Sequence, residues 1–193
     1  GGSLARALEL VDAAAAAGAS AVKLQTLYAD RLVASSCPAP AHVNATSLQD
    51  FFAAFELDLD AHRVLVGRAR RHGLAVMTTP FAEDVVPALD QIGFDAYNVA
   101  SGDITYLGLI ARLAATGKPL VISTGMSTSD EIRAAARFLD DRSAQYVLLH
   151  CQSTYPAALH NIHLRFMETL REIHPLVGYS GHEVGLASTL AAV

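Results

Sequence analysis

With 193 residues, 52% of them hydrophobic and 17% charged, the chain can bury a sizeable core and is too apolar for intrinsic disorder. Its formal net charge of -5 offers no attraction to nucleic acid or to an anionic membrane surface. No apolar run reaches the roughly 18–20 residues that cross a bilayer, and nothing resembles a signal peptide; the only thiols, Cys37 and Cys151, lack CxxC spacing, so the expected compartment is the cytosol.

Along the chain, short β-branched runs alternate with Ala-, Leu- and Arg-rich helical runs. A helix is predicted over residues 4–17, then the strand "AVKLQT", then a long excursion, "YADRLVASSCPAPAHVNATSLQD", broken by Pro38 and Pro40 and dotted with Ser and Asn44. Loops of that length are usually functional. A helix over 60–72, the strand "LAVMTTP", a helix over 83–92 and the strand "AYNVAS" follow, then a helix over 106–116 and the strand "PLVIST". A helix over 128–140, the strand "QYVLLHC", a helix over 164–173, the strand "LVGYS" and an alanine-rich helix from near Gly185 complete the series. Gly18, Gly73, Gly93 and Gly117 each follow a helix where a left-handed cap is useful, and "STSDE" carries a helix-start signal.

Two α/β architectures accept such βα units: an open doubly wound sheet and a closed (β/α)8 barrel. In "AVKLQT", Lys23 and Gln25 share one face while Val22 and Leu24 share the other; in "AYNVAS", Ala96, Asn98 and Ala100 oppose Tyr97 and Val99. An open sheet covered on both sides should be apolar on both, whereas a barrel turns one face to a narrow interior, so the pattern favours the (β/α)8 barrel. No GxGxxG follows the first strand to argue for a dinucleotide site.

Polar residues gather at the carboxyl ends of five successive strands: Thr79; Ser101 and Asp103; Ser123 and Thr124; Ser153 and Tyr155; Ser180 and His182. Taken singly, each Ser or Thr reads as well as a turn or cap. Taken together beside a lysine, they suit a phosphate or carboxylate on the face where barrels carry their active sites. Among the histidines, those in "DAHR", "RRHG" and "LHNIHL" fit helix or loop surfaces, His150 fits the core, and His182 stands just beyond a strand.

The strings "AVKLQT", "TTPF", "ASGDIT", "TGKPLVISTGM", "LLHCQSTYP" and "VGYSGHEVGLA" resemble, in order, the signatures of the sialic acid synthase (NeuB) family. The resemblance covers essentially the whole chain and implies a (β/α)8 barrel. It further implies condensation of phosphoenolpyruvate (PEP) with an N-acetylmannosamine-type sugar, releasing phosphate and forming a nonulosonic acid.

By the same resemblance, Lys23, Thr79, Asn98, Ser101, Ser123 and Ser180 fall at PEP-binding positions, with Lys23 expected as a buried ammonium beside neutral hydroxyls. Asp103 takes the acidic catalytic position, for proton transfer or water positioning as water adds to C2 of PEP, and Lys23 is the second catalytic candidate. Ser153 and Tyr155 match acceptor-sugar contacts, and His182 matches a ligand of a divalent metal, Mn2+ or Mg2+, that polarises the sugar aldehyde. The implied partners are small molecules, with a homodimer possible in the full-length protein.

Two residues depart from the family pattern. Asn98 stands where many members have lysine, which should weaken a phosphate contact by roughly 1–3 kcal/mol, although an amide still donates. Gly181 replaces an aspartate of many bacterial members. The chain opens and ends where the family has its second and seventh strands, so a single partial barrel domain is expected, with the first and last strands and the C-terminal antifreeze-like (SAF) domain outside it, and its activity alone is in question. The residues also leave open a Schiff-base barrel aldolase using Lys23, or a non-catalytic sugar-phosphate-binding scaffold.

Overall fold

A computed structural model describes residues 2–39 and 44–193; residues 40–43 of the long excursion lie outside the described residues. The chain forms two compact units, Gly1–Ala96 and Tyr97–Val193. No described helix is long and apolar enough to cross a membrane.

The first unit runs α1 (Leu4–Ala16), β1 (Ala21–Thr26), α2 (Ala29–Leu32), α3 (Leu48–Ala53), α4 (Leu59–Arg71), β2 (Ala75–Pro80) and a 3-10 turn leading into α5 (Val86–Ile92). β1 and β2 pair in parallel with Lys23 opposite Met77 and Gln25 opposite Thr79. Side chains alternate along a strand, so Lys23, Gln25, Met77 and Thr79 share one face and Val22, Leu24, Thr26, Val76 and Thr78 the other. The short helices α2 and α3 give the excursion after β1 regular structure that its composition did not suggest.

Helix α4 covers the second of these faces through a buried polar chain. His62 is fully buried, which corrects the surface position expected for the histidine of "DAHR". It lies one helical repeat from Leu65, Val66 and Ala69, inside the apolar stripe of α4, and its Nδ1 is 2.7 Å from the carbonyl of Asp58. A carbonyl only accepts, so Nδ1 carries the hydrogen and Nε2 accepts from the Thr26 hydroxyl at 2.9 Å; Thr26 in turn meets Thr78 at 2.9 Å. Asp12 ties α1 to α4 through Nε and Nη2 of Arg68 and through His72, and the Arg68 hydrogen bonds above all hold its carboxyl far below the usual range.

The second unit runs β3 (Ala96–Val99, beginning at the boundary), α6 (Leu107–Ala114), β4 (Leu120–Ser123), α7 (Ser129–Asp140), β5 (Tyr146–Cys151), α8 (Phe166–Ile173), β6 (Val177–Ser180) and α9 (Ala187–Ala192). β3, β4, β5 and β6 pair in that order, all parallel. Helix α7 starts on a capping box: Thr128 Oγ1 accepts from the Glu131 amide and Glu131 accepts from the Thr128 amide. Gly18, Gly73, Gly93 and Gly117 all take positive φ, as their places after helices require.

The register carries one alternation across all four strands. Asn98 lies opposite Val121, Ser123 opposite Leu149, and Cys151 opposite Ser180, which places these residues on a common face. The opposite face presents Tyr97, Val99, Leu120, Ile122 and Leu148, each completely buried. Burial of such side chains supplies about 1.5–3 kcal/mol apiece.

Thr26→Val should leave His62 Nε2 without its donor and lower stability by about 1–3 kcal/mol, whereas Thr26→Ser keeps the hydroxyl and most of that stability. Urea unfolding of the two variants checks this, and equal midpoints would show that the polar chain adds nothing.

Candidate active site

In the first unit, Lys23 is exposed, a correction to the buried ammonium expected from the sequence. Helix α4 covers the side of the β1–β2 pair that holds Thr26 and Thr78; on the other side Lys23 and Gln25 of β1 are exposed, while burial begins only at β2. There Lys23 and Gln25 border a cavity of about 360 Å3 together with Ser3, Arg6 and Phe55. Thr79, on the same face as Lys23, is buried.

In the second unit, the polar ends of β3 to β6 are tied to one another. Asn98 is buried, with its amide nitrogen 2.7 Å from the Val121 carbonyl and 3.2 Å from Ser123 Oγ. The carbonyl can only accept, so Nδ2 must face it; the same nitrogen is 3.0 Å from the Val99 carbonyl, so its hydrogens are shared between β3 and β4. Asn98 therefore holds Ser123 from below, a supporting part that the lysine-to-asparagine comparison did not reveal. Thr124 is likewise engaged, donating to the Leu149 carbonyl at 2.9 Å.

Ser101 opens the 3-10 turn Ser101–Asp103. Its Oγ accepts the Gly125 amide hydrogen at 3.1 Å and lies 3.0 Å from Cys151 Sγ, which is 3.2 Å from the same amide. Gly125 admits no side chain: a Cβ there would collide with Ser153 Oγ and stand 2.9 Å from both Cys151 Sγ and Ser101 Oγ. Ser101 and Cys151 thus converge on one backbone amide, and Ser153 packs where a side chain at 125 would go. Cys151 was not singled out from the sequence, although its place on the Asn98–Ser123–Ser180 face was a readable signal.

Asp103 is half-buried at the end of the turn, its amide bonded to the Ala100 carbonyl and its carbonyl receiving the Tyr106 amide. Burial raises its carboxyl pKa above the ordinary aspartate range. Ser180 is partly exposed at the end of β6.

His182 Nδ1 is 2.7 Å from the Gln152 carbonyl, so it carries the hydrogen and Nε2 keeps the lone pair. That nitrogen faces the Tyr155 hydroxyl at 3.0 Å, and the two rings stack with centroids 4.1 Å apart. A carbonyl on Nδ1 is the arrangement that orients an imidazole for metal ligation through Nε2. Among the described residues no three His, Cys, Asp or Glu side chains group around one ion. His150 is a satisfied core histidine, bonded to the Ile162 carbonyl at 2.6 Å, and His160 and His163 are exposed.

Gly181 is explained by its neighbour Glu183, which the sequence reading passed over. A Cβ at Gly181 would come within 2.8 Å of Glu183 Oε2, which accepts from the Tyr179 hydroxyl at 2.8 Å. Burial and this hydrogen bond push the Tyr179 pKa up to about 12.

With this geometry in hand, the sequence profile of the NeuB family matches residues 10–193. The chain belongs to the NeuB family. It is 33% identical over its whole length to the N,N'-diacetyllegionaminic acid synthase of Campylobacter jejuni, covering 60% of that protein. It is 36% identical over 98% of its length to the synthase of the same name from Legionella pneumophila, covering 57%. Among solved structures it resembles the N-acetylneuraminic acid (sialic acid) synthetase of Leptospira borgpetersenii in complex with citrate, with a TM-score of 0.87, 26% identity, and coverage of 99% of this chain and 64% of that one. The chain spans about three fifths of the length of these NeuB relatives. The fold class is the α/β class of parallel βα units expected from the sequence, that of the NeuB (β/α)8 barrel.

Because the Glu183 carboxylate lies beside Gly181, Gly181→Asp should lower the unfolding temperature through crowding and like-charge contact. Gly181→Asp combined with Glu183→Ala should recover most of the loss. Thermal unfolding of the single and double variants measures the coupling, and additive effects would show that the two positions do not compete.

Proposed function

We propose that the protein to which this chain belongs is a nonulosonic acid synthase that condenses PEP with an N-acetylmannosamine-type amino sugar and releases phosphate. The observation that carries this reading is the polar row of the second unit: Asn98, Ser123, Cys151 and Ser180 share a face that leads to the carboxyl ends where Ser101, Asp103, Ser153 and His182 stand. Small hydroxyls and amides on a rigid parallel scaffold suit a substrate carrying a phosphate and a carboxylate, because they orient the anion without offering a strong competing nucleophile. The synthase activities of the NeuB relatives support the same reading.

In this reading C3 of PEP forms a bond to the sugar's aldehyde carbon, water adds to C2, and the C–O bond to phosphate breaks as the tetrahedral adduct collapses to the 2-keto acid. In the second unit Ser101, Ser123 and Ser180 bind PEP, Asn98 supports Ser123, and Ser153 and Tyr155 meet the acceptor; Lys23 and Thr79 of the first unit stand at positions that the family resemblance assigns to PEP. Asp103 moves the proton of the attacking water, and burial, by raising its pKa, makes its carboxylate a stronger base. His182 would contribute to holding Mn2+ or Mg2+, which when bound polarises the aldehyde oxygen.

Phosphate release by the full-length protein should require PEP, an amino sugar and a divalent metal together; release from PEP alone would defeat the proposal. Asp103→Asn should cut kcat by about 10^2- to 10^4-fold while PEP still binds. If ionised Asp103 is the working base, the acid limb of the wild-type rate profile should lie above the ordinary aspartate range. Stability should move the other way: the native state keeps the Asp103 proton to higher pH than the unfolded chain, so its contribution is full below the unfolded pKa and lost as pH rises through the raised native one. Asp103→Asn should therefore unfold at a higher temperature than wild type at pH 7, and a lower one would contradict the desolvated carboxyl.

A further inference from the structure

The cluster around Gly125 has a directional hydrogen-bond pattern that the substrate-binding assignments do not use. A serine hydroxyl has two acceptor sites and one donor hydrogen. The Gly125 amide occupies one acceptor site of Ser101 at 3.1 Å, and Cys151 Sγ sits 3.0 Å from the same oxygen. If the thiol donates, both acceptor sites of Ser101 are filled and its own hydrogen has nowhere to go but outward. If the hydroxyl donates to sulfur instead, Ser101 has no hydrogen for a ligand. An anion in front of Ser101 selects the first arrangement, because it attracts the hydroxyl hydrogen, and hydrogen bonds in series strengthen one another.

The surroundings fix this geometry. Cys151 is buried, and its sulfur shares the Gly125 amide hydrogen at 3.2 Å. Ser153 Oγ packs where a side chain at 125 would go, so the backbone there cannot be exchanged for a bulkier one. The pairing of Cys151 with Ser180 places the thiol in the same register as a second hydroxyl of the row. A cavity of about 280 Å3 opens beside Gly125 and Cys151, bordered also by Gln152 and Asn161.

We propose that Cys151 is a positioning residue for PEP recognition: its S–H, with the Gly125 N–H, saturates Ser101 as an acceptor and turns the Ser101 hydroxyl hydrogen toward the anionic groups of PEP. This rests on the synthase reading and adds to it a residue that touches no substrate. Serine at 151 retains one donor and one acceptor in the same place; alanine retains neither.

The test is a double-mutant cycle in the full-length protein, read as KM for PEP, KM for the amino sugar, kcat and melting temperature. Cys151→Ala should raise KM for PEP about 5- to 10-fold, the effect of one lost hydrogen bond, with kcat within about two-fold and KM for the sugar unchanged. Cys151→Ser should restore KM for PEP to within about two-fold of wild type. In a Ser101→Ala background, Cys151→Ala should raise KM for PEP no further, because the residue it positions is gone. An unchanged KM in Cys151→Ala, a serine variant as impaired as alanine, or costs that add in the Ser101→Ala background would overturn the proposal. Should Cys151→Ala not fold, the serine variant in both backgrounds decides by the same criteria. A wild-type protein that binds PEP without releasing phosphate refutes the synthase reading, and the cycle is then read on PEP dissociation constants by calorimetry. A wild-type protein that does not bind PEP refutes both.

Discussion

Parallel pairing in a fixed register carries the same side-chain alternation from β3 through β6, and the chemistry of the second unit depends on it. Tyr97, Val99, Leu120, Ile122 and Leu148 make one face wholly apolar, so that the polar side chains fall on the other. Asn98, Ser123, Cys151 and Ser180 occupy it without interrupting the core. A slip of one residue would exchange the two faces, burying polar groups against helices and exposing leucines, so the energy that specifies the fold also specifies the site.

Much of this was legible because strand alternation and helix periodicity are local signals. "AVKLQT" coincides with β1, and the Thr128–Glu131 capping box marks the start of α7 to within a residue. What failed depended on tertiary placement. His62 lies in phase with Leu65, Val66 and Ala69, so the stripe already contained it, but a histidine looks like surface until Thr26 and the Asp58 carbonyl are seen to satisfy both its nitrogens. Helices α2 and α3, of four and six residues, are too short to impose a period on their sequence. Lys23 was assigned correctly to the face of Gln25, yet alternation states only which residues share a face and not how deeply that face is covered.

The two departures from the family pattern differ in kind. Asn98 brings a neutral amide whose hydrogens are shared among the Val121 and Val99 carbonyls and Ser123 Oγ, so the position ties β3 to β4 and reaches a hydroxyl of the polar row. Gly181 loses a carboxylate, but the Glu183 carboxylate, anchored by Tyr179, reaches into the space beside it. Negative charge thus stays near His182 while its source shifts two residues along the chain. Neither compensation is visible to a comparison made position by position, because each involves a neighbour on another strand or further along the loop.

Asp103 shows why the carboxyl ends of these strands suit such groups. Its backbone is pinned on both sides, by its own amide to Ala100 and by the Tyr106 amide to its carbonyl, so the turn is held whatever the protonation state of the side chain. A partly desolvated carboxylate is unfavourable in the folded state, and a mobile segment would relieve it by turning the group to water. The 3-10 turn removes that freedom. The raised pKa therefore persists because the backbone hydrogen bonds and the buried Ile104 beside it hold the group in place, which makes the proton affinity of the site a consequence of how β3 ends.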